Sequence, residues 1–101
     1  MPEYIIAYRG GKKPESPEQG AAQKEKWMAW IGGLGDAVVN PGTPCTGAMT
    51  VSSSGVQAGG DDALTGYSIV TAVNMDAALE MARACPFLEM GTVEVAEQKK
   101  M

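Results

Sequence analysis

Residues 3–9, Glu-Tyr-Ile-Ile-Ala-Tyr-Arg, are dense in β-branched and aromatic side chains, and Gly10-Gly11 closes the run, which predicts a β-strand. With a two-residue period, Tyr4, Ile6 and Tyr8 share one face while Ile5, Ala7 and Arg9 share the other. Apolar groups on both faces predict a central strand. The polar stretch from Lys12 to Pro17 holds two prolines and reads as a loop. Ser16-Pro17-Glu18-Gln19 then has the form of an N-cap with proline at the first helical position. In the helix that follows, Trp27, Trp30, Ile31 and Leu34 repeat at i, i+3, i+4, i+7. Gln23 to Lys26 supply polar surface, and Gly32, Gly33 and Gly35 end the helix.

Asp36 to Asn40 is a short strand candidate, halted by Pro41-Gly42-Thr43-Pro44. From Cys45 to Gly60 the residues are mostly small. Met49-Thr50-Val51 and Gly55-Val56-Gln57 flank a Ser-rich turn, a pattern that suits a hairpin or an extended excursion. Gly66 to Val73 is the clearest strand, with Tyr67, Ile69, Thr71 and Val73 on one face and Ser68, Val70 and Ala72 on the other. Asn74 caps a second helix whose stripe is Met75, Ala78, Leu79 and Ala82, and Cys85-Pro86 breaks it. Gly91 to Ala96 predicts a last strand with Val93 and Val95 inward, and Lys99-Lys100-Met101 a frayed tail.

The order β-α-β-(hairpin)-β-α-β predicts an α+β fold over residues 1–101 as a single domain. It is the ferredoxin-like split βαβ arrangement, an antiparallel sheet with two helices on one face. Two helices cover one face only, yet the strands offer Tyr, Ile, Val and Ala to both. A second copy, related by a two-fold axis, is expected to cover the open face and to leave a cleft between the sheets.

Composition narrows the partners. The chain has 101 residues, of which 45% are hydrophobic and 20% charged, ordinary values for a globular protein. Its formal charge of −4 leaves no basic stripe, so no nucleic acid partner is expected. No apolar run approaches a membrane span, and no basic leader precedes the first strand, so no membrane partner and a cytoplasmic location are expected. Histidine is absent, removing the commonest base near neutral pH and the commonest metal ligand. Cys45 and Cys85 form neither a disulfide framework nor a zinc pattern, so no metal and no cofactor are expected. The pattern Gly10-Gly11-Lys12 lacks the remaining residues of a phosphate loop, and Gly32-Gly33-Leu34-Gly35 ends a helix where a dinucleotide fingerprint would open one.

Tyr4-Ile-Ile-Ala-Tyr-Arg9, Trp27-Met-Ala-Trp-Ile-Gly32, Thr65-Gly-Tyr-Ser-Ile69, Cys85-Pro86 and Gly91-Thr-Val-Glu-Val95 together resemble the YCII-related family of dimeric α+β barrel proteins across nearly the whole chain. The resemblance implies a homodimer with a cleft lined by first-helix and sheet residues. For some members it implies a histidine–aspartate pair acting on small aromatic or chlorinated rings. This chain has no histidine to form that pair, and no Asp-Gly-Pro-Phe motif lies around Ser54-Gly55, so it resembles the branch that lacks both.

Candidate ligand-binding residues are Arg9, Trp30, Tyr67 and Ser68, and the candidates for acid–base work are Asp36 and Tyr67. Each has a plain structural reading beside the functional one. Asp36 sits where a helix gives way to a strand, and Arg9 ends a strand. Tyr67 and Ser68 open the strongest strand, where a phenol and a hydroxyl orient a carbonyl or carboxylate or simply pack with satisfied hydroxyls. Trp27 and Trp30 form either an aromatic wall or ordinary core. Cys45 has no neighbour that would activate its thiol. The reading adopted is a homodimer binding a small, partly apolar or aromatic molecule, with turnover left open. The alternative is a non-catalytic interaction module that uses the sheet face for association alone. A haem-degrading or cofactor-free monooxygenase is the third option, on the barrel architecture only.

Overall fold

A computed structural model of the chain describes residues 1–11 and 15–99; Lys12 to Pro14 of the expected loop and Lys100-Met101 of the expected tail lie outside them. β1 (Glu3–Arg9) is indeed central, flanked by β5 (Leu64–Thr71) and β6 (Thr92–Glu97), with β2 (Val38–Asn40) beyond β5. The order β2-β5-β1-β6 is antiparallel at every pairing, with Ile6 opposite both Ser68 and Val95. This is the ferredoxin-like α+β topology. β3 (Met49–Ser52) and β4 (Gly55–Ala58) pair in a separate two-stranded ribbon, so the hairpin alternative for residues 45–60 is the one realised.

The two helices, α1 (Pro17–Gly33) and α2 (Met75–Arg83), begin where the sequence indicates. Ser16 Oγ accepts from the Gln19 N–H and Asn74 Oδ1 from the Ala77 N–H, each satisfying one orphan donor of a first turn. Both helices lie over one face of the sheet. There Tyr4, Ile6, Tyr8, Val70 and Ala72 are buried with Ala78 and Cys85, and Trp30, Leu34, Met81 and Phe87 pack around them. The alternate positions Ile5, Ala7, Tyr67, Ile69 and Thr71 face the other side and are half-buried.

Four expectations need adjusting. Asp36 and Ala37 belong to a 3-10 turn (Gly35–Ala37), because Gly35 adopts a left-handed φ of 56°, and extended backbone begins only at Val38. Strand β5 starts two residues early and stops at Thr71, leaving Val73 68% exposed ahead of the Asn74 cap. In α2, Ala78 and Ala82 are buried while Met75 lies in the first turn, clear of the core. The α1 stripe of Trp27, Trp30, Ile31 and Leu34 is half-buried throughout; no residue of α1 is fully buried.

Candidate functional site

Below α1, at the end of the sheet where β1 finishes and β5 starts, lies a cavity of about 520 Å³. Tyr8, Trp27 and Phe87 give it aromatic walls, Pro44, Pro86 and Met90 extend the apolar lining, and Gln23, Lys24, Thr43 and Thr65 are its polar groups. The volume falls within the range of small-molecule sites. The cavity sits on the helix side of the sheet, within one chain.

Local sequence explains how each wall arrives. Tyr8 is on the inward face of β1, one strand pair from Gly66 on β5. A Cβ on Gly66 would lie 3.2 Å from both the Tyr8 ring and the Thr43 carbonyl, so glycine there lets ring and loop close on the strand. The loop after β2 is pinned against β5 by the Pro44–Gly66 bridge and by the Cys45 N–H bonding to Thr65 O at 2.9 Å. Gly42 makes that approach with φ of 81°; a Cβ there would come within 1.6 Å of the Tyr67 carbonyl oxygen. Cys85-Pro86 ends α2 and starts a short 3-10 turn (Pro86–Glu89), which swings Phe87 to 5.3 Å, ring centroid to centroid, from Tyr8.

A directed chain of hydrogen bonds runs behind the aromatic wall. Trp27 Nε1–H donates to Tyr8 Oη at 3.2 Å, Tyr8 Oη and Ser68 Oγ are 2.6 Å apart, and Ser68 Oγ–H donates to the Pro41 carbonyl at 2.7 Å. An indole can only donate and a carbonyl can only accept, so the polarity is fixed at both ends. Ser68 spends its single proton on Pro41; the Tyr8 proton therefore points to Ser68. Tyr8 Oη accepts once from Trp27 and keeps one lone pair. Burial pushes the Tyr8 phenol above the ordinary tyrosine value, against the opposing pull of the Ser68 and Trp27 hydrogen bonds, so it is neutral across the physiological range.

The residues singled out from sequence are dispersed. Ser68 is fully buried and holds the hydrogen-bond chain, and Tyr67 lies beside it at the cavity margin with its side chain on the opposite face of the sheet. The phenol that meets Ser68 is Tyr8. Trp30 is occupied elsewhere: its Nε1–H donates to the Met81 carbonyl at 3.0 Å, tying α1 to α2. Arg9 pairs with Asp62 at 3.4 Å, both exposed, beside a second, more polar recess bordered by Cys45 and Met49. Asp36 is exposed in its turn and lines neither recess. Tyr8, Phe87 and Met90 are lining residues that the sequence does not single out; the alternation shows that Tyr4, Ile6 and Tyr8 share a face, but which of them meets a cavity depends on where α1 crosses. Among the described residues no group of three or more Cys, Asp or Glu could hold a metal ion. Burial also raises the Cys85 thiol, opposed by a hydrogen bond from the Phe87 backbone, which keeps it protonated. Within the described residues, no helix is long and apolar enough to cross a membrane.

No protein-family model matches the chain, and no curated protein matches it. Among solved structures it is similar to the 5-chloro-2-hydroxyhydroquinone dehydrochlorinase of Burkholderia phenoliruptrix, in its complex with 2,5-dihydroxybenzoquinone. The TM-score is 0.63 at 18% identity, covering 98% of this chain and 95% of that one. At that identity the likeness establishes the fold alone: an α+β architecture of two helices on one face of an antiparallel sheet.

Proposed function

We propose that this protein forms a homodimer and binds a small hydroxylated aromatic molecule in the cavity between α1 and the sheet. The observation that carries the reading is the pairing of an aromatic-walled cavity of about 520 Å³ with a buried phenol whose proton is already committed. The walls suit a flat ring. The lone pair left on Tyr8 Oη suits a ligand that brings a hydroxyl donor, and Lys24 at the rim favours one carrying partial negative charge. The dehydrochlorinase of the same fold was solved with a hydroxylated quinoid ring, which supports the ligand class. Among the described lining residues there is no carboxylate, so the reading is one of binding.

The dimer is supported by surface area. A folded monomer of 10.5 kDa exposes about 5400 Å². This chain exposes 6963 Å². The excess, roughly 1500 Å², is more than the ~800 Å² that each partner contributes to a standard interface. The open sheet face carrying Ile5, Ala7 and Ile69 is the surface that face-to-face pairing would cover, with Arg9 and Tyr67 at its edge.

Titration with phenol and with its methyl ether, followed by indole fluorescence and calorimetry, tests the site. Phenol should quench Trp27 and bind about tenfold or more tighter than the ether, because only phenol donates. Absence of binding by either up to millimolar concentration refutes the ligand class.

A further inference from the structure

The β3–β4 ribbon has a composition and a setting that the cavity does not explain. Its register places Met49 opposite Ala58 and Val51 opposite Val56, so all four side chains lie on one face, while Thr50 and Gln57 pair on the other. The ribbon is therefore amphipathic. Its apolar face is uncovered: Met49, Val51 and Val56 are 59%, 74% and 61% exposed. A two-stranded ribbon is marginal by itself in water, and an apolar face gains nothing until it is packed.

The charge pattern favours a second copy of this chain as what packs on it. Between Asp36 and Asp61 the chain carries no Asp, Glu, Lys or Arg, although a fifth of all its residues are charged. Two copies at −4 each repel, and they meet at least electrostatic cost where neither is charged. An anionic lipid surface or a nucleic acid would instead require basic residues here, and the segment has none.

We infer that the β3–β4 ribbon is the dimerisation arm, its Met49, Val51, Val56 and Ala58 face packing on a second copy of this chain. The inference rests on the homodimer proposed above and adds the ribbon to the open sheet face as a second part of its contact surface.

Two variants separate the faces. Val51→Lys with Val56→Glu places an opposite-charge pair on the apolar face, and Thr50→Lys with Gln57→Glu places the same pair on the polar face; both keep cross-strand pairing favourable. Sedimentation across a range of concentrations should show the first weakening dimerisation about 100-fold or more and the second leaving it within about threefold. Equal dissociation constants for both variants overturn the arm while leaving the dimer standing. A parent protein that stays monomeric at high micromolar concentration removes the dimer itself. Hydrogen exchange on the unaltered protein needs no variant: amides of residues 49–58 should gain protection as concentration drives association. No gain in a protein that dimerises assigns this face to another partner and overturns the inference.

Discussion

Ser68→Ala tests the hydrogen-bond chain that joins β1, β5, α1 and the loop after β2. Ser68 is 0% exposed, and its Oγ meets Tyr8 Oη at 2.6 Å and the Pro41 carbonyl at 2.7 Å. Removing one oxygen deletes two bonds. Each is worth about 1 kcal/mol net, so the expected loss is about 2 kcal/mol, with little added by the small void. The Pro41 carbonyl lies on an exposed residue and can turn to water, which keeps the cost from rising further. Tyr8→Phe is milder, about 1 kcal/mol, because Ser68 keeps Pro41 and the half-buried Trp27 indole finds solvent. In urea denaturation the predicted order is wild type, Tyr8→Phe, Ser68→Ala, and the double variant should fall short of additivity by about 0.5–1.5 kcal/mol. In a domain of this size the Ser68→Ala loss corresponds to a drop in Tm of roughly 8–16 °C. A Tyr8→Phe variant less stable than Ser68→Ala, or strict additivity of the pair, would refute the assigned proton directions.

Further expectations follow from single contacts. Tyr8 should ionise above the ordinary tyrosine value of 10.0, since its neutral form is favoured by folding. The stability this gives is whole below about pH 10 and declines as pH climbs toward the folded value; a phenolate absorbance difference between wild type and Tyr8→Phe below pH 10 would contradict it. Trp30→Phe should cost about 1 kcal/mol through the lost bond to the Met81 carbonyl and should raise proteolysis within α1 before the sheet is attacked. Gly42→Ala should destabilise by about 3 kcal/mol or more, because its Cβ meets the Tyr67 carbonyl oxygen in a left-handed backbone; an unchanged melting temperature would show that the loop does not lie on β5.

Period and punctuation made most of the architecture legible. The alternation of Tyr4, Ile6 and Tyr8, the Ser16 and Asn74 caps and the Cys85-Pro86 break each act within a few residues, and the structure keeps all of them. The cavity was less legible because it is made by elements distant in sequence. Trp27 and Trp30 share a helix face, and only the crossing of α1 over the sheet sends one indole to Tyr8 and the other to Met81. Likewise the alternation places Ser68 on one face with Val70 and Ala72, but its partner comes from β1, 60 positions away. Asp36 and Arg9 stand out in the sequence for their chemistry, and neither is drawn into the cavity: each has charge to solvate and a turn or strand end on which to do so.

A helix of 17 residues with none fully buried is fastened lightly. Beyond the packing of Trp30 and Leu34 on the core, it is held by two indole N–H bonds, while the Gln23 and Lys26 contacts to Glu89, at 3.4 and 3.3 Å, are exposed enough to add little. One of those anchors ends on the very oxygen that a guest in the cavity would approach. The roof of the chamber is thus held at two separate points, and only the Trp27 bond to Tyr8 borders the chamber, the Trp30 bond lying over α2. A guest that takes the remaining lone pair of that oxygen shares it with one fastening of the roof and leaves the other out of reach.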